Sequence, residues 1–265
     1  MYFIGERING MFEDIALAIV NKDEKVIKDI VLKQTAVIVD ALDINVGPSS
    51  QNSVSDMEWL VKTVRKFTDL PLVIDTTKFE VMKVGIELAG KGKGIINSVI
   101  PDLSNLDQYL DLAKNYGSKI IVLTMTSKGL PKTALERIEL AAKGLTMLQE
   151  KGISVEDIFI DSIILPTNVA QDQPTEVLET ISQIKMLSNP QCKTVLGLSN
   201  VSQKCPNRSL INRTFLTMAL TKGLDAAILD VNDEDLINAV ATTELLLNKQ
   251  IYCDNFLESY KKKYC

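Results

Sequence analysis

The feature that most constrains this chain is an alternation repeated eight times along its 265 residues. Short apolar runs of strand length alternate with stretches whose apolar residues recur at helical spacing. The runs fall at residues 2–5, 37–44, 71–75, 95–98, 119–124, 158–161, 194–198 and 224–230. Between them, Met57, Leu60, Val61, Val64 and Phe67 share one helical face, as do Leu135, Ile138, Ala142, Leu145 and Leu148. A helix from about residue 24 carries Ile27, Ile30, Val31 and Gln34 on one side. Ser55-x-x-Glu58 and Thr133-x-x-Glu136 read as capping boxes at two helix starts. Eight such units in about 250 residues are what a (β/α)8 TIM barrel requires. A doubly wound open sheet is the alternative. It would place a Gly-rich phosphate turn after the first strand. Gly5-Glu6-Arg7-Ile8-Asn9-Gly10 does not have that pattern. The expectation is a single-domain α/β barrel over residues 1–265, with a short tail from about residue 250.

Composition removes several function classes. At 46% hydrophobic and 24% charged residues, the chain can bury a sizeable core. A net charge of −5 argues against nucleic acid as the main partner, because phosphate binding needs a basic surface. The one basic run, Lys261-Lys262-Lys263, reads as a solvated tail. Histidine is absent, which excludes a His general base, a catalytic triad and His-ligated zinc. No EF-hand or HExxH spacing is present, so no tightly bound metal is expected. Cys192, Cys205, Cys253 and Cys265 form no CxxC pair and read as free thiols of a reducing compartment. With no leader-like start and no apolar run near 20 residues, the expected location is cytoplasmic, away from membranes.

In this type of barrel, sites form at the C-terminal ends of the strands. Those ends carry Glu6, Asp43 or Asn45, Asp75, Asn97, Thr124, Asp161, Ser199 with Asn200, and Asp230. The ring is rich in Asp and Asn and poor in Lys and Arg. It suits a neutral, donor-rich heterocycle such as a pterin better than a sugar phosphate, since carboxylates accept paired N–H groups and amides both donate and accept. Structural roles compete at each position. Asp75 and Asp230 can be helix N-caps, Asn97 and Asn200 turn residues, and Glu6 a partner of Arg7. Asn207 reads as a helix cap and Arg208 as a first-turn residue or a ligand contact. Ser199 and Asn200 read as the rigid end of the seventh strand, followed by a loop over residues 201–207 that moves on ligand binding.

The motifs in order point to a family. Gly5-Glu6-Arg7-Ile8-Asn9-Gly10, Asp43-Ile44-Asn45-Val46-Gly47-Pro48, Asp75-Thr76-Thr77, Asn97-Ser98, Asp161, Asn168-Val169-Ala170-Gln171-Asp172 and Leu198-Ser199-Asn200-Val201-Ser202-Gln203 resemble the pterin-binding barrels. That group includes dihydropteroate synthase and the folate domain of cobalamin-dependent methionine synthase. Most specifically, the chain resembles the methyltetrahydrofolate:corrinoid/iron–sulfur protein methyltransferases of anaerobic acetogens. The resemblance implies transfer of the N5 methyl of 5-methyltetrahydrofolate to Co(I) of a cobamide. A separate corrinoid/iron–sulfur protein would carry that cobamide, in the reductive acetyl-CoA pathway. It implies that Asp75, Asn97 and Asp161 hydrogen-bond the pterin, and that Asn200 approaches N5, with proton delivery linked to Asp75. Glu6 and Ser199 would also contact folate. Gln203 and Arg208 would lie near folate and the incoming corrin, and Lys204 would face the cobamide. The family is dimeric, so a homodimer is expected. Another pterin enzyme of the dihydropteroate synthase kind, or a non-catalytic pterin-binding subunit, are the alternatives.

Overall fold

Eight parallel strands pair in chain order and close into a barrel, with the last strand back against the first. The computed structural model of the chain describes residues 1–48 and 50–262. Lys263 and Cys265, both considered above, lie outside the described residues. The strands are β1 (Tyr2–Asn9), β2 (Ala41–Asn45), β3 (Leu72–Asp75), β4 (Gly94–Val99), β5 (Lys119–Leu123), β6 (Ile158–Asp161), β7 (Lys193–Gly197) and β8 (Ala226–Leu229). Around them run α1 (Glu13–Asn21), α2 (Glu24–Thr35), α3 (Ser53–Arg65), α4 (Phe79–Ala89), α5 (Leu106–Tyr116), α6 (Ala134–Glu150), α7 (Gln173–Ile184), α8 (Arg208–Thr221), α9 (Glu234–Leu246) and α10 (Phe256–Lys262). The expected (β/α)8 barrel is therefore the observed fold.

The strands read as near-continuous apolar runs because both of their faces are covered. Outward residues such as Leu42, Ile44, Leu72, Ile74 and Ile96 pack against Met57, Leu60, Val61, Met82 and Ile86 of the helices, all fully buried. Inward residues form a separate layer inside the barrel: Ile4, Ala41, Val73, Ile95, Ile121, Phe159, Val195 and Ala226. Each large aliphatic side chain buried in this way contributes about 1.5–3 kcal/mol.

The local signals fare unevenly. The Thr133–Glu136 capping box forms, with both reciprocal hydrogen bonds. The Ser55–Glu58 box does not. The helix starts earlier, and Asn52 is its N-cap, accepting from the Ser55 N–H. Helix α1 has no counterpart in the sequence pattern. It buries only Ile15, Ala18 and Ile19, and it stops at Lys22 in the left-handed region rather than at a glycine. The tail is not featureless, because α10 buries Tyr260 against the barrel. Cys192, Cys205 and Cys253 are free thiols. Among the described residues, no helix is long and apolar enough to cross a membrane.

Candidate active site

Side chains alternate across a strand, so the position two residues beyond each inward apolar residue also faces the barrel axis. Applied to the eight-membered layer, this gives Glu6, Asp43, Asp75, Asn97, Leu123, Asp161, Gly197 and Ile228. All eight line one cavity of about 560 Å³ at the C-terminal mouth. The site is thus the next storey of the barrel itself. Ser199, Asn200, Gln203 and Arg208 form its wall on the β7 side. Of the residues implicated from sequence, Lys204 is exposed and not part of this lining.

Strand parity corrects the ring in two places and decides a third. β5 contributes Leu123, while Thr124 is buried and donates its hydroxyl to the Asp161 carbonyl. β8 contributes Ile228, and Asp230 lies exposed beyond the strand, accepting from the Asn232 N–H. β2 contributes Asp43 to the floor, while Asn45 hydrogen-bonds Asp75 from beside it. The cap readings also fall. Asp233 caps α9, Lys78 occupies the N-cap position of α4, and Asn207 is left-handed with no side-chain cap. Glu6 does not pair with Arg7, which binds Asp14 instead.

Two bulges aim the floor. Between Gly5 and Ile8, two residues of β1 oppose one of β2, a local extra residue that re-aims side chains. The bulged Arg7 N–H is satisfied at 3.2 Å by Oε1 of Gln34, a buried amide on the apolar face of α2. Glu6 then accepts from the Ser199 hydroxyl at 2.8 Å across the mouth. A second shift in register follows Asn97 on β4. Asn97 donates weakly, at 3.4 Å, to Asp43, and Asn45 Nδ2 donates to Asp75 at 2.7 Å. Asp161 accepts from the Ile163 N–H at 2.7 Å. Ile163 adopts φ 54°, a left-handed conformation costly for a β-branched residue. That turn holds a backbone donor on the carboxylate.

Ser199 and Asn200 do not belong to the strand. β7 ends at Gly197, and residues Leu198–Ser202 form a 3-10 turn. The turn is held by Arg208, which donates to the Ser199 carbonyl and the Ser202 hydroxyl, each at 3.2 Å. It folds the Asn200 amide over the strand end. A Cβ on Gly197 would sit 2.9 Å from Asn200 Nδ2, so the glycine makes room for the amide.

Four carboxyl groups share this floor, and burial makes their charged forms costly. Burial pushes Glu6 up to about 7, with the Ser199 hydrogen bond opposing. Asp161 also rises to about 7 through burial, opposed by the Ile163 N–H and by Arg137. Burial and then the Asp75 charge drive Asp43 well above the usual carboxylate range. Asp75 is raised by burial against the Asn45 hydrogen bond. Asp43 and Asp75 titrate as a pair, and ionising both at once is disfavoured. Arg208 is the sole cation among the described lining residues. The site therefore offers acceptors, amides and carboxyl groups that ionise reluctantly, and it disfavours phosphate. Among the described residues, no cluster of His, Cys, Asp or Glu is arranged to hold a metal ion.

Comparison with known proteins agrees with this chemistry. A family model described as pterin binding enzyme matches residues 17–230. A methylcorrinoid:tetrahydrofolate methyltransferase of Eubacterium limosum is 25% identical over 264 residues, covering 99% of this chain and 97% of that protein. The methionine synthase of Mycobacterium leprae is 27% identical over 270 residues. That match takes in 97% of this chain but only 22% of the longer enzyme. Among solved structures, the dihydropteroate synthase of Xanthomonas albilineans in complex with 7,8-dihydropteroate superposes with a TM-score of 0.65 at 15% identity, covering 93% of this chain and 92% of that one. The Coxiella burnetii dihydropteroate synthase in complex with pteroic acid gives 0.65 at 17%, covering 92% and 93%. At those identities the likeness is one of fold.

Proposed function

From the premise that the chain belongs to the family of pterin-binding enzymes, we propose that it moves a methyl group between N5 of 5-methyltetrahydrofolate and the cobalt of a protein-bound cobamide. One observation carries this reading. A single half-buried layer presents Asp75, Asn97 and Asp161, and the Asn200 amide is folded over the strand end at the β7 side of the same cavity. The first three suit the N–H and C=O edge of a pterin. The amide suits a hydrogen bond to N5. The partner in this reading is a corrinoid/iron–sulfur protein, the pathway is the reductive acetyl-CoA route, and the enzyme works as a cytoplasmic homodimer.

In the forward direction, the Co(I) electron pair forms a bond to the methyl carbon while the N5–carbon bond breaks. The electron pair stays on N5 and the cobalt becomes methyl-Co(III). The cobamide carries the nucleophile, so the protein needs none, in keeping with its lack of histidine. The protein's task is the leaving group, because a tertiary amine leaves only if N5 gains a proton or hydrogen-bonded character. Asn200 donates a hydrogen bond that strengthens as charge shifts onto N5. It supplies no net proton. The proton comes through solvent, along a path linked to Asp75, whose carboxyl burial holds above its ordinary value. Gln203 and Arg208 line the mouth through which a corrin enters. The similarity to a methylcorrinoid:tetrahydrofolate methyltransferase, named for the reverse transfer, fits the same site, since one transition state serves both directions.

The test mixes the protein with 5-methyltetrahydrofolate and chemically reduced cobalamin and follows the methylcobalamin spectrum. The converse mixture, methylcobalamin with tetrahydrofolate, should run the reaction backwards. Formation of methylcobalamin at the uncatalysed rate would sink the proposal and leave a pterin-binding role.

A further inference from the structure

Asn200 lines the cavity but is itself exposed, and among the described residues none hydrogen-bonds its side chain. The aim of that amide at one ligand atom must therefore come from the backbone on either side of it. On the near side, the Ser199 hydroxyl donates to Glu6 at 2.8 Å, and the Ser199 carbonyl accepts from Arg208 at 3.2 Å. On the far side, the Val201 carbonyl accepts twice from a single residue. The backbone N–H and the side-chain hydroxyl of Thr167 both donate to it, each at 2.9 Å. Thr167 is half-buried in the loop after β6 and is not part of the cavity lining.

The loop that carries Thr167 is built to resist movement. It leaves β6 at Asp161, and its Pro166 carbonyl accepts from the N–H groups of Val169 at 2.9 Å and Ala170 at 3.0 Å, which closes a turn around Thr167. Ile164 of the same loop is buried in one apolar cluster with Leu198 and Val201 of the 3-10 turn. Apolar packing is non-directional, so it fixes how close the two segments lie but not how the Val201 peptide is rotated. Hydrogen bonds are directional, and a carbonyl has two lone pairs to fill. Two donors from one residue hold that peptide in both directions. We propose that Thr167 is a positioning residue for Asn200, whose hydroxyl braces the 3-10 turn against the β6 loop and so aims the amide into the cavity. The brace also ties the strand end that presents Asp161 to the turn that presents Asn200. The consequence for methyl transfer rests on the function proposed above, but the bracing of Asn200 does not.

The experiment begins without ligand. Thr167→Val removes the hydroxyl and keeps the N–H bond, while Thr167→Ser keeps both donors. Protein labelled with 15N at asparagine is studied by NMR, with the Asn200 side-chain signals assigned by their loss in Asn200→Ala. Thr167→Val should shift or broaden those signals, and Thr167→Ser should leave them as in wild type. Signals unchanged by Val, or changed equally by Ser, overturn the proposal. Thr167→Ala is read in the same way if the Val variant does not fold. Methyl transfer from 5-methyltetrahydrofolate to reduced cobalamin is then measured. Thr167→Val should lower kcat about 3–10-fold, the scale of one neutral hydrogen bond, and Thr167→Ser should restore it. The KM for 5-methyltetrahydrofolate should stay within about twofold, because Asp75, Asn97 and Asp161 are untouched. In the Asn200→Ala background, Thr167→Val should change kcat by less than about 1.5-fold, since the group it aims is gone. An equal loss with or without the Asn200 amide, or a rise in KM alone, marks Thr167 as structural only and overturns the positioning role. A wild-type protein that transfers no methyl would refute the functional reading, leaving the brace to be judged by the ligand-free spectra.

Discussion

Replacing Asp161 by asparagine should stabilise the ligand-free protein and weaken its hold on folate. Burial raises this carboxyl from its ordinary 3.8 to about 7. A raised acid binds its proton more tightly in the folded chain than in the unfolded one. Stability is therefore fully present below the unfolded value and is lost as pH climbs toward 7. The gap is roughly 3 pH units, and each is about 1.4 kcal/mol, so the ceiling is about 4 kcal/mol. Relaxation lowers this, and over an accessible range of about pH 5 to 8.5 the expected loss is about 2–3 kcal/mol. An asparagine at this position cannot ionise, yet its side-chain oxygen still accepts the Ile163 N–H that Asp161 accepts now. Reversible urea unfolding of both proteins across that range gives the assay. Glu6, Asp43 and Asp75 titrate in both, so the difference curve isolates residue 161. The variant should gain on wild type by about 2–3 kcal/mol as pH rises, while calorimetry shows folate binding weaker by roughly 1–3 kcal/mol from loss of a charged acceptor. Parallel stability curves would show that Asp161 carries no ionisation cost and would refute the reasoning.

Other perturbations test how the site is built. Asn200→Ala should lower kcat/KM about 10²–10³-fold, the usual cost of one preorganised donor, and unchanged turnover would remove its role at N5. Gly197→Ala should do nearly the same by displacing that amide, up to about 10²-fold in kcat with little change in Tm. A fully active Ala variant would show that the close approach to Asn200 has no function. Gly10→Ala forces a Cβ to 2.3 Å from the Val46 carbonyl, backbone against backbone, where the loops after β1 and β2 meet. It should cost at least about 1–3 kcal/mol in urea unfolding. Gln34→Met leaves the bulged Arg7 N–H unsatisfied, so a loss of about 1–3 kcal/mol is expected, and a neutral result would mean another acceptor holds the bulge.

The sequence by itself determined the barrel. Eight apolar runs separated by helical faces leave few ways to bury both sides of eight strands, and that pattern is local enough to read. Asp75, Asn97 and Asp161 were legible for the same reason, since each ends a run whose limits are sharp. What only the tertiary structure decided was which residue of each strand end faces the axis. Thr124 and Asp230 are as polar as the residues that end the other strands, but parity turns the axis over to Leu123 and Ile228. Parity depends on register against the neighbouring strand, and a bulge such as the one at Glu6 and Arg7 changes it without any local signature. The groups that hold the site came from equally far away. Gln34 looked like one more position on an apolar helical face, because burial is a property of what packs over a residue. The same distinction applies to Ser199 and Asn200. Their chemistry was plain in the chain, but the 3-10 turn that folds the amide back over Gly197 depends on Arg208, and contacts of that kind exist only once the chain has closed on itself.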